Sequence, residues 1–141
     1  MNSRLHSVLQ ILLWVICAFN VTIGLGLNIS QDFPQAVAAF YGAQVEWTPA
    51  FMYIIKPLGV FMITVGLLAG VAARAPMQHA QIVYAIALLF LMRGIQRFVF
   101  MDDIAAAVGI DAGRNVANGI FFILLGAALV ACHRACLKKT A

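Results

Sequence analysis

Three cations stand inside long apolar runs of this chain: Lys56 in the second run, Arg93 and Arg97 in the third. A charged side chain in hydrocarbon costs at least ~2.5–3.5 kcal/mol on insertion scales. Three of them in 141 residues point to a polar site within a helical protein. Arg93 and Arg97 are one helical turn apart and share a face, with Gln96 beside them. They repel unless something negative or strongly polar lies between them. A planar guanidinium grips phosphate or carboxylate at two points, so this pair suits an anionic ligand. Tyr53 falls three residues before Lys56 on its face.

The elements that carry these residues follow from composition. The chain is 64% apolar and 10% charged, against about 25% charged in an average soluble domain. So little charge cannot cover a surface in water, and the lipid bilayer is the expected solvent. A spanning helix needs roughly 20 apolar residues. Four spans are predicted, over about 8–27, 50–73, 80–100 and 116–132, in a single domain of 1–141. The predicted fold is all-α, an integral membrane four-helix bundle.

The remaining charges set its orientation. Arg4, Arg74, Arg134, Lys138 and Lys139 flank one side of the spans. Asp32, Glu46, Asp102, Asp103 and Asp111 occupy the loops of the other, with Arg114 as the single cation there. The positive-inside rule then places both termini in the cytoplasm. The net charge of +4 is distributed by topology, not gathered on a nucleic-acid face. The first run has a basic start but no A-x-A site, so it is read as a retained helix. Asn28-Ile29-Ser30 fits a glycosylation acceptor only in a eukaryotic secretory setting.

The two outer loops, the longer over 28–49, are predicted to carry short interfacial helices. In the first, Asp32-Phe33-Pro34 reads as a capped start, Val37, Phe40 and Tyr41 share a face, and Gly42 is a stop. In the second, Asp102-Asp103 is read as the cap of 104–108, ending at Gly109. The chain therefore reads as two similar halves without a residue-level repeat. Gly59, Gly66 and Gly70, with Gly119 and Gly126, allow close helix contact, and internal packing is preferred to a dimer seam. Pro57 is expected to bend its helix beside Lys56.

At about 1.5 Å per residue, Lys56, Arg93 and Asn20 each lie roughly 8–10 Å below the outer surface, with Arg97 and Asn118 shallower. Lys56, Arg93 and Arg97, with Asn20, Tyr53, Gln96 and Asn118 as secondary contacts, form the candidate ligand-binding set. The plainer reading is that the cations pair with the acidic loops, Arg97 reaching Asp102 or Asp103 by snorkelling.

Other chemistry is weakly signalled. Cys132, His133 and Cys136, with His6 and His79 on the same side, lack zinc spacing and read as reduced thiols near a membrane end. Cys17 reads as a small apolar residue, and no disulfide or metal site is expected. Met52, Met62, Met92 and Met101 read as packing, not copper ligands. Phe90, Phe98, Phe100, Phe121 and Phe122 either line a pocket for a ring-bearing ligand or face lipid and core. No nucleophile motif, phosphate loop or catalytic carboxylate pair appears, and the spans lack the acidic residues of a proton-driven transporter.

The four spans, the long first outer loop and the stretch Arg93-Gly94-Ile95-Gln96-Arg97, continuing to Asp103, resemble the small BphX-like and DoxX-like proteins of bacterial inner membranes. The resemblance implies a bacterial multi-pass protein. BphX-like proteins lie beside genes for aromatic degradation, and some DoxX-like proteins resemble subunits of quinone-linked oxidoreductases. The expectation is a non-catalytic binding or accessory subunit whose cationic pocket takes an anionic, lipid-like or aromatic ligand. One alternative is a quinone-binding subunit of a membrane oxidoreductase, and a second is a small oligomeric transporter or channel. The expected partners are membrane lipid and copies of itself or other membrane subunits. No resident cofactor is expected unless quinone.

Overall fold

The computed structural model describes residues 3–137. Lys138 and Lys139, part of the cation pattern above, lie outside the described residues. Six helices follow one another: α1 (Ser3–Ile29), α2 (Phe33–Tyr41), α3 (Pro49–Arg74), α4 (Ala80–Val99), α5 (Met101–Val108) and α6 (Ala112–Leu137). Four of them, α1, α3, α4 and α6, are long and apolar enough to cross a membrane, which marks a multi-pass membrane protein. Without water in the hydrocarbon, each backbone donor and acceptor must be satisfied within its own helix, so apolar runs of this length fold as helices. Large apolar side chains stay exposed along them, Ile11, Phe61, Leu88 and Leu124 among others. A soluble monomer does not leave such stripes open, whereas lipid covers them.

Helix starts follow local chemistry, with two corrections. At α3 the Thr48 hydroxyl accepts from the Phe51 amide at 3.2 Å, and Pro49 needs no partner for its missing N–H. At α2 the expected Asp32 cap is absent: Asp32 has helical backbone angles and its side chain caps nothing. The Ser30 hydroxyl instead accepts from the Phe33 amide at 3.1 Å. Asp102 and Asp103 likewise do not cap α5. They lie inside its first turn, where the helix dipole favours carboxylates. Both short helices end at left-handed glycines, Gly42 (φ 73°) and Gly109 (φ 62°). On α2, Val37 and Tyr41 turn inward, but Phe40 is 80% exposed. The Gln44 amide donates to the Val108 carbonyl at 2.7 Å, tying the loop after α2 to the end of α5.

Packing is organised by glycine. α1 lies chiefly on α3, and α4 on α6. A Cβ on Gly24 would meet the Gly59 carbonyl at 2.5 Å, and one on Gly59 would meet the Gly24 carbonyl at 2.8 Å. Two turns on, a Cβ on Gly66 would meet the Cys17 carbonyl at 3.0 Å. In the second half, a Cβ on Gly94 would meet the Gly119 carbonyl at 2.8 Å, and one on Gly126 the Ala87 carbonyl at 2.8 Å. Gly24 and Cys17 thus correspond to Gly94 and Ala87, each 70 residues on, while Gly59 and Gly66 correspond to Gly119 and Gly126, each 60 residues on. The repeat between halves is therefore one of contact register, invisible in residue identity elsewhere.

The core is uneven along the helices. Leu9, Leu13, Ala69, Ala72, Ala73, Val83, Ile86 and Leu129 pack together toward the end that carries the termini. Toward the α2/α5 end, pockets open between the helices.

Candidate functional site

Arg97, in the last turn of α4, is tied down by Asn115 of α6. Its Nη1 donates to Asn115 Oδ1 at 2.9 Å, and Asn115 Nδ2 donates back to the Arg97 carbonyl at 2.8 Å. That carbonyl is among the last four of α4, which have no partner within the helix. Asn115, 1% exposed, therefore satisfies both a guanidinium and a helix end. The expected reach of Arg97 to Asp102 or Asp103 is not made. Both carboxylates are exposed, and the amide of Asn115 takes their place.

Arg93, one turn back, is held differently. Its guanidinium carbon sits 4.8 Å from the centre of the Phe122 ring, and that of Arg97 sits 5.9 Å from it. A cation over an aromatic face gains about 0.5–2 kcal/mol, according to how far it is desolvated. Phe122 is buried and stacks on Phe90 with centroids 6.0 Å apart and planes 9° apart. Among the described residues no Asp or Glu pairs with either arginine. Arg93 is exposed and makes no hydrogen bond to another of the described residues.

Arg93 lines several pockets. One of ≈ 340 Å³ lies beneath α2 and the loop after it, lined by Phe19, Tyr41, Trp47, Leu58 and Met62 among others, with Arg93 as its one charged residue. A smaller chamber of ≈ 160 Å³ shares Phe19, Tyr41, Leu58, Met62 and Arg93 with it and adds Asn20, Phe61, Phe90 and Phe122. Across Phe122, a cleft of ≈ 520 Å³ opens between α1 and α6 and is lined by Asn20, Asn118, Phe121 and Phe122. The chamber and the cleft are counterparts under the repeat: Phe61 and Met62 of one correspond to Phe121 and Phe122 of the other, 60 residues on.

The seven candidate residues are thus only partly brought together. Arg93 and Asn20 meet in the chamber, and Asn118 lies in the cleft. Arg97 and Gln96 join Arg93 in a ≈ 310 Å³ pocket beside Ile104, Val108 and Ile110. Lys56 and Tyr53 stand outside all of these pockets, exposed on the far side of α3, with Tyr53 72% exposed. Lys56→Met is accordingly expected to leave Arg93-dependent ligand affinity within about twofold, as for a surface exchange; a titration comparing the variant with the parent protein checks this.

Compared with family models, with curated proteins and with solved structures, the chain matches none of them. Function must therefore be argued from the site itself. Among the described residues no group of three His, Cys, Asp or Glu could hold a metal ion, and no disulfide joins Cys17, Cys132 and Cys136. The polar cluster at the other end is His133, buried with Nδ1 3.0 Å from the Tyr84 hydroxyl. The Arg93 region offers a charge, aromatic walls, a neighbouring amide and the Tyr41 phenol.

Sequence reasoning missed Asn115 and Phe122's role beneath both arginines. It also missed Phe19, Tyr41 and Trp47. The signal for Phe122 lay in its spacing: only a residue of α6 at the depth of Arg93 can lie beneath it once the two helices are known to pair.

Proposed function

We propose that this is a multi-pass protein of a bacterial inner membrane, a four-helix bundle with both termini cytoplasmic, that binds an anionic, lipid-like or aromatic ligand at Arg93 without transforming it. The orientation is supported by Arg4, Arg74 and Arg134 flanking one end of the spans and by five carboxylates in the loops of the other. The observation that carries the binding reading is the state of Arg93. Its guanidinium is accessible, rests on Phe122, and is the one charged residue lining two apolar pockets. A cation kept in such surroundings without a carboxylate partner is costly unless a ligand completes it. Arg97 serves beside it as a positioning residue, fixed by Asn115 and lending its charge to the same face.

Trp47 lines the larger pocket and reports on occupancy. Titrating the protein in lipid nanodiscs with decanoate should change Trp47 emission. Arg93→Met should weaken that binding by about 10- to 100-fold, the worth of a charge-assisted hydrogen-bond pair. Unchanged affinity in this variant would remove Arg93 from the site. A second reading, a quinone-binding subunit of a membrane oxidoreductase, draws on the same aromatic walls, Phe90 and Phe122 above all. A redox-active ring compound that co-purifies with the protein would favour it over the first.

A further inference from the structure

The chamber that Arg93 shares with Asn20 has the size of one aromatic ring. Its ≈ 160 Å³ is walled by Phe19, Phe61, Phe90 and Phe122 together with aliphatic side chains. An apolar cavity of about 150 Å³ stays dry and accepts benzene. Arg93, Asn20 and Tyr41 bring polar groups to this apolar wall, and the first two do so in different ways. Arg93 of α4 supplies donors and charge. Asn20 of α1 is 9% exposed, and its Nδ2 is already engaged in donating to the Ile16 carbonyl at 2.9 Å. A carbonyl can only accept, so the group facing Ile16 is the amide nitrogen. Asn20 therefore keeps its Oδ1 as an acceptor without a partner from the protein, on a side chain that lines both the chamber and the neighbouring cleft.

The repeat sharpens the point. The position 70 residues beyond Asn20 is Phe90, which lines the same chamber and stacks on Phe122. Where one half of the protein places a phenyl ring, the other places a buried amide. A buried polar group in an apolar wall is unfavourable unless something satisfies it.

We infer that the ligand is a single-ring aromatic compound bearing an anionic oxygen for Arg93 and a hydroxyl that donates to Asn20 Oδ1. This rests on the Arg93 binding reading and narrows its substrate class. The ring packs among Phe19, Phe90 and Phe122, the acidic group meets the guanidinium, and the hydroxyl completes the amide.

The test compares 4-hydroxybenzoate, benzoate, cyclohexanecarboxylate and octanoate as probes, by calorimetry on the intact protein in nanodiscs. The parent protein should bind 4-hydroxybenzoate about fivefold more tightly than benzoate, the worth of one neutral hydrogen bond. It should bind benzoate more tightly than cyclohexanecarboxylate. Asn20→Leu should erase the preference for the hydroxyl while leaving benzoate binding in place, and Arg93→Met should weaken all four probes. Equal binding of all four carboxylates, still dependent on Arg93, would overturn the ring-and-hydroxyl inference and leave the anion site standing. Binding that ignores Arg93→Met, or no binding of any probe, would overturn both. Should Asn20→Leu fail to fold, Asn20→Asp serves. Its carboxylate still accepts from the hydroxyl but adds a negative charge to the site, so it should weaken benzoate more than 4-hydroxybenzoate, and unchanged affinity for both would place Asn20 outside the site.

Discussion

Asn115→Leu should destabilise the protein by about 3 kcal/mol, more than any other exchange of a polar side chain. Leucine keeps the branched outline of asparagine and is the larger side chain, so the effect does not come from a cavity. It comes from two groups that lose their partner together. Arg97 Nη1 loses the acceptor at 2.9 Å, and the Arg97 carbonyl, at an unpaired helix end, loses the donor at 2.8 Å. Both then lie in a half-buried setting with no carboxylate to replace the amide. Removing the charge as well should recover the larger part of the loss, since replacing both members of a buried pair by apolar groups is often near neutral. Chemical unfolding of Asn115→Leu, Arg97→Met and the double variant in one detergent measures this. A double variant as unstable as the sum of the single ones would show that the pair is not the source of the cost.

Gly94→Val should cost a similar amount, about 3 kcal/mol, by overpacking. A Cβ there meets the Gly119 carbonyl at 2.8 Å and Ile123 Cγ1 at 2.6 Å, and the backbone carbonyl cannot turn aside. α4 and α6 would have to separate, and Arg93 and Phe122 would lose their register. Because the halves repeat this contact, Gly24→Val should cost as much in the α1/α3 pair, where the added Cβ would lie 2.5 Å from the Gly59 carbonyl. Gly113→Ala is the control. Its Cβ would meet only the exposed Asp111 carboxylate, at 3.0 Å, so stability should hold within about 0.5 kcal/mol. Thermal unfolding of the three variants decides it, and a tolerated Gly94→Val beside an intolerant Gly24→Val would refute the equivalence of the halves.

The long helices were readable because hydrocarbon demands length and apolarity, both of which a sequence displays directly. The left-handed stops at Gly42 and Gly109 were readable for a similar reason, since the conformation selects the residue. Depth was readable, but the direction each residue faces was not. On α3, at about 100° per residue, Lys56 and Tyr53 fall to one side of the stripe Gly59, Gly66, Gly70, and Ile55 and Met62 fall to the other. Which side meets α4 depends on how the two helix pairs are set together, and no residue announces it. Depth alone groups Lys56 and Tyr53 with Arg93, whereas the structure leaves both exposed and outside the pockets that Arg93 lines. Asn115 escaped notice because α6 begins at Ala112, earlier than a hydropathy reading from 116 suggests, and because acidic loops are a more obvious partner for arginine than a buried amide. The duplication was legible only as architecture, since the residues that repeat are small ones read through their contacts.

We propose that two neighbouring arginines do different work: Arg97 holds the fold, and Arg93 holds a ligand. Native mass spectrometry of the protein gently extracted from its own membrane, beside the Arg93→Met variant, tests it most directly. The parent protein should carry a defined small-molecule adduct that is missing from Arg93→Met, with the variant's unfolding temperature unchanged. An unchanged adduct, or an Arg93→Met variant that carries none and is as unstable as Asn115→Leu, would contradict it.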